Sequence, residues 1–97
     1  MLTPLEFAER VLLLKQYVPF SVSSWGRTDA HNTAVGGVEK SAHRQWLAAD
    51  VIPDDPSPRT LAVLILDAGH LDLEVIDEWA TKGHYHVQPR GWANIAW

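Results

Sequence analysis

Ser41-Ala42-His43-Arg44-Gln45-Trp46-Leu47-Ala48-Ala49-Asp50, answered near the C-terminus by His84-Tyr85-His86, decides how this chain reads. His43, Asp50 and His86 bring two imidazoles and a carboxylate, in a sequence of 97 residues without a single cysteine. A structural zinc is normally closed by four protein ligands, often thiolates, whereas a catalytic zinc keeps one position for water among His and carboxylate ligands. Oxygen and nitrogen donors without thiolates therefore point to chemistry and not to a zinc staple.

Around these donors the chain reads as strands and helices in alternation. Trp46 to Ile52 suits a strand on which Ala48, Asp50 and Ile52 share one face by the period of two. His84 to Gln88 suits another, with both imidazoles on one face and Tyr85 on the opposite one. Leu71 to Trp79 alternates as a strand, and Ala80-Thr81-Lys82-Gly83 links it to that histidine strand as an antiparallel neighbour. Phe20 to Trp25 alternates apolar with small polar residues. Thr3-Pro4-Leu5-Glu6 is a capping box with proline at the first helical position, which predicts a helix from Pro4 to Tyr17 with Leu5, Ala8, Val11, Leu12 and Leu14 as its apolar residues. Ser57-Pro58 starts a second helix, with Leu61, Leu64, Ile65 and Ala68 as its stripe and Gly69 as its stop. The residues from Gly26 to Lys40 are rich in Gly, Asn, Asp and Thr and read as a long loop of the kind that often carries function.

Size and charge narrow the classes. A chain of 97 residues is one domain, residues 1–97, near the low end for an independent enzyme. The net charge of −4 and the lack of any basic run argue against nucleic acid as a partner. Met1-Leu2-Thr3-Pro4-Leu5-Glu6 lacks the basic region of a secretory signal, and no apolar run approaches membrane-spanning length. The expectation is a chain made soluble in the cytoplasm, with no membrane partner.

Ser41, His43, Ala48 and Asp50 resemble the Ser-x-His-x-x-Gly-x-Ala-x-Asp signature of the zinc D-Ala-D-Ala carboxypeptidase and hedgehog-type metallopeptidase family. Trp46 stands where that pattern has glycine. Arg27, Asn32, Gly36 and Gly37 fall where phage and bacterial members carry Arg and then Asn-x-x-x-Gly-Gly. His84-Tyr85-His86-Val87 is similar to the family's histidine strand, whose last histidine is the third ligand. The resemblance runs from about Arg27 to Val87 and implies an α+β fold, with a small antiparallel sheet and helices on one side.

That resemblance implies zinc held by His43, Asp50 and His86, and peptidase action on peptidoglycan stem peptides, as carboxypeptidase or endopeptidase. To meet the cell wall such a phage-type protein would be released or carried on a virion. Hydrolysis also needs a carboxylate to move protons. Some members carry it three residues before the last ligand histidine, where this chain has Gly83. Others take it from the preceding strand, and Val75-Ile76-Asp77-Glu78-Trp79 resembles that segment, so Glu78 is the candidate base and Asp77 the fallback. Arg27 suits a clamp on a substrate carboxylate or the scissile carbonyl. His84 suits a hydrogen bond to the reacting carbonyl.

Plainer readings stand beside these. His43 and Asp50 alone would pass for a surface histidine and a strand-end aspartate. Asp77 and Glu78 would pass for a solvated strand end, and Arg27 for a surface charge. Ser41 reads as a local hydrogen-bonding residue, and His31 and His70 as surface residues. Trp25, Trp46, Trp79, Trp92 and Trp97 read chiefly as core and edge aromatics. The same residues are compatible with a zinc-containing binding or structural domain that has lost catalysis, a reading that Gly83 and Trp46 favour.

Overall fold

The computed structural model describes residues 2–26 and 46–91. In chain order these form α1 (Pro4–Tyr17), β1 (Phe20–Ser24), β2 (Ala49–Pro53), α2 (Pro58–His70), β3 (Leu73–Asp77), α3 (Trp79–Lys82) and β4 (Tyr85–Pro89). The strands make one antiparallel sheet in the order β1-β2-β4-β3. The fold is α+β, as expected.

Both long helices begin as the sequence predicts. Thr3 Oγ1 accepts from the Glu6 N–H at 3.2 Å while Glu6 Oε1 accepts from the Thr3 N–H at 3.0 Å, so the capping box closes in both directions. Ser57 Oγ accepts from the Thr60 N–H at 3.2 Å and caps α2, with Pro58 at the first turn. The buried stripe of α1 is Phe7, Val11 and Leu14, spaced for one helix face. Leu5 and Leu12, expected on that face, are exposed instead, and Phe7 takes the central place. On α2 the buried residues are Leu64 and Ala68, Leu61 packs beside them, and Ile65 is exposed.

Paired residues in an antiparallel ladder share a face. Phe20 opposite Pro53, Ala49 opposite Val87, Val51 opposite Tyr85 and Leu73 opposite Pro89 form the inner face. Most of these residues join Phe7, Val11, Leu14, Leu64 and Ala68 in one apolar core. The other face carries Asp50 opposite His86 and Glu74 opposite Gln88. Helices cover one side of the sheet, and the polar row lies on the other.

Several boundaries differ from those expected: α2 runs through Gly69 to His70, β3 starts at Leu73 and not Leu71, β4 runs Tyr85–Pro89 and not His84–Gln88, and two further differences bear on the site. β2 begins at Ala49 and not at Trp46, whose φ of 58° lies in the left-handed region and interrupts any strand there. β3 ends at Asp77, because Asp77 Oδ1 accepts from the Trp79 N–H at 3.0 Å and turns the chain into α3. Trp79 to Lys82 is therefore a helical turn and not the end of a strand plus a link. Gly83 closes that turn at φ 71°, a conformation that glycine adopts without the strain a side chain adds.

Candidate metal centre

The centre is built on the two inner strands. Asp50, in the middle of the sheet and 4% exposed, points to the polar face beside its register partner His86. Asp50 Oδ1 lies 3.1 Å from His86 Nδ1. A bulge in β1 sits next to this pair: the register slips between Val22 and Ser24, and Ser23 Oγ donates to the Asp50 backbone carbonyl at 3.3 Å. Bulges bend a strand locally and are frequent beside functional sites.

Glu78 and His84 reach the same place from the α3 turn. The left-handed Gly83 reverses the chain so that His84 stands immediately before β4. His84 Nε2 lies 2.9 Å from Glu78 Oε1 and 3.5 Å from Asp50 Oδ1, between the two carboxylates. Lys82 Nζ stands 3.7 Å from the other Glu78 oxygen. Ligand atoms of Asp50, Glu78 and His86 all fall within 4.8 Å of one another.

This donor set fits a divalent cation. Two donors bound at about 2.0–2.1 Å in a tetrahedron stand about 3.3–3.4 Å apart, close to the 3.1 Å separating Asp50 Oδ1 and His86 Nδ1. Imidazole with carboxylate is a zinc-type donor combination.

Beneath the site Tyr85 faces the core and stacks on Trp79 with ring centroids 5.3 Å apart. Burial, and secondarily the Asp77 carboxylate, push the Tyr85 hydroxyl above its ordinary range and keep it neutral. The ring pair thus gives the histidine strand an apolar floor.

Of the residues expected at the site, Asp50, Glu78, His84 and His86 come together. Asp77 is turned to the Trp79 N–H. His43, Arg27, Asn32, Gly36, Gly37 and Ser41 lie outside the described residues, as do His31, Trp92 and Trp97. His70 is exposed; Trp25 and Trp79 pack partly buried against the core, while Trp46 is 48% exposed. Two polar residues that the sequence reading did not single out continue the row: Gln88, within 2.7 Å of His86 Nε2, and Glu74, which accepts from Gln88 at 2.6 Å. Period-two spacing from His86 was a signal for Gln88, but Glu74 becomes visible only through strand pairing.

No helix among the described residues is long and apolar enough to cross a membrane. No curated protein and no solved structure gives a significant match. Residues 10–88, which include every described residue of the centre, match the Peptidase M15 family. A buried aspartate paired with a strand histidine, a glutamate within reach and a match over most of the sequence lead to one assignment: the chain belongs to the Peptidase M15 family of zinc peptidases.

Proposed function

We propose that residues 1–97 form one zinc metallopeptidase-like domain that hydrolyses peptidoglycan stem peptides, as a D-Ala-D-Ala carboxypeptidase or an endopeptidase. The observation that carries this reading is the Asp50–His86 pair at 3.1 Å with Glu78 beside it, in a chain of a peptidase family. His43, Asp50 and His86 hold the metal. Zinc, when bound, supplies a Lewis acid for the scissile carbonyl and lowers the pKa of water towards neutrality.

The chain's own residues move the protons and hold the substrate. Glu78 takes a proton from the attacking water as its oxygen bonds to the carbonyl carbon. Glu78 then returns that proton to the departing amine nitrogen as the C–N bond breaks, leaving a carboxylic acid and an amine. His84, 2.9 Å from Glu78 Oε1, orients that carboxylate and stands beside the developing oxyanion. Arg27 clamps a substrate carboxylate or polarises the scissile carbonyl. A phage-type setting, with release or virion carriage to the cell wall, belongs to the same proposal.

A second reading is a zinc-containing binding or structural domain without turnover. Gly83 favours it, because the left-handed turn at this position leaves one of the family's carboxylate places without a side chain. Digestion of purified peptidoglycan fragments with the zinc-loaded protein, followed by mass spectrometry, separates the two. Release of D-alanine or cut stem peptides supports the peptidase, and binding of fragments without cleavage supports the alternative.

A further inference from the structure

We infer that Gln88 and Glu74 are positioning residues that decide which ring nitrogen of His86 is open to the metal, an inference that rests on the zinc site proposed above. On the side of the ring away from Asp50, Nε2 lies 2.7 Å from Gln88 Oε1, and Gln88 Nε2 donates to Glu74 Oε1 at 2.6 Å. Gln88 is 5% exposed, so its amide is held by these partners more than by solvent. Glu74 reaches it across the sheet, because the two are register partners on β3 and β4.

The hydrogen-bonding capacities fix the order of the row. A carboxylate only accepts, so the Gln88 amide turns its NH2 to Glu74 and its oxygen to His86. That oxygen also only accepts, so His86 Nε2 carries a hydrogen, and in the neutral ring that a metal requires it is Nδ1 that presents the lone pair. Nδ1 is the nitrogen that faces Asp50 Oδ1 at 3.1 Å. A lone pair and a carboxylate oxygen that face each other so closely form a site for a cation between them.

The opposite arrangement has Nδ1–H donating to Asp50, Nε2 accepting from a flipped Gln88 amide, and the Gln88 oxygen against Glu74. Asp50 by itself favours it, and it closes Nδ1 to a metal. Glu74, acting through Gln88, opposes it, because two acceptors would then meet at 2.6 Å. Metal-binding histidines commonly hand their second N–H directly to a carboxylate or carbonyl. Here the carboxylate acts one residue removed, through an amide that transmits its polarity.

Zinc affinity measured by chelator competition, with ¹⁵N spectra of the His86 ring in the zinc-loaded protein, tests the inference. In the parent, Nδ1 should be the zinc-bound nitrogen and Nε2 the protonated one. Glu74→Gln lets the Gln88 amide flip and should weaken zinc binding about 10- to 100-fold, with the metal-free melting temperature near the parent's. Gln88→Leu should weaken it similarly, and adding Glu74→Gln to that variant should cost nothing more. Exchanging the two, Glu74→Gln with Gln88→Glu, sets a carboxylate directly on Nε2–H and should recover most of the affinity. Unchanged affinity in Glu74→Gln, or zinc on Nε2 in the parent, overturns the positioning role alone. A parent whose zinc content is indifferent to His86→Ala overturns the zinc site and this inference with it.

Discussion

Asp50 and His86 are register partners on the two inner strands, with Oδ1 and Nδ1 3.1 Å apart on the face opposite the one that packs on α1 and α2. An ion held there with His43 gives an expected content of about one zinc per chain. Elemental analysis of His43→Ala, Asp50→Ala and His86→Ala should show the metal lost from folded protein. His84→Ala should keep most of it, since His84 contacts the carboxylates and is not assigned as a ligand. Zinc retained at the parent level by the first three variants would remove the assignment.

Removing the metal should lower the melting temperature appreciably, because the proposed ligands come from distant parts of a small chain and binding free energy is shared with folding. A calorimetric scan before and after chelation, with zinc content verified, measures this. A melt that does not move would place the ion outside the stabilising structure.

Glu78→Gln should preserve fold and zinc while slowing stem-peptide hydrolysis by about 100-fold or more, the scale of losing a general base. Asp77→Asn should slow it far less, since that carboxylate is turned to the Trp79 N–H at 3.0 Å. Comparable losses in the two variants would argue that the α3 turn and not the Glu78 carboxylate is what matters.

Gly26→Ala should destabilise the protein by about 1–3 kcal/mol, the usual cost of overpacking. A Cβ at Gly26 would collide with the Trp46 indole. The cost should shrink in a Trp46→Ala background, as contacting residues are not additive. Equal costs in both backgrounds, read from urea unfolding, would mean that the indole is not what Gly26 accommodates.

Tyr85 gives a pH dependence of known sign. Its folded value is raised, by burial first and Asp77 second, above the ordinary value of 10.0. The neutral form is thus favoured by folding, and the contribution is fully present below the unfolded value and lost as pH rises through the folded one. Stability measured by urea unfolding should decline above about pH 10, and Tyr85→Phe should flatten that decline. An equally steep alkaline limb in the variant would assign it to other groups.

The helix starts were legible because caps are local: Thr3 with Glu6, and Ser57 before Pro58, need no tertiary information. The face of His86 was legible from the period of two, whereas His84, expected on the same strand, stands in the bend before it. The short helix at Trp79 was not, because the apolar alternation from Leu71 runs on through it, and what ends the strand is a side-chain contact from Asp77. Phe7, Leu5 and Leu12 all suit a helix, and only docking on the sheet chooses Phe7 for the buried face. Trp46 in place of the family's glycine has a backbone meaning, since its φ of 58° is one that glycine takes with little cost. Glu74 needed the register, which pairs it with Gln88 across strands.

With the order β1-β2-β4-β3, the strands bearing Asp50 and His86 are each hydrogen-bonded on both sides, and among the described residues β1 and β3 are the outer strands. Proteins open locally at their least protected segments long before they unfold throughout. Fraying at either border of this sheet would leave the Asp50–His86 spacing intact, whereas parting β2 from β4 means breaking the middle of the molecule. Amide hydrogens of these inner strands should accordingly be among the last to exchange with solvent, so that the geometry offered to a metal persists through the small openings that the borders undergo.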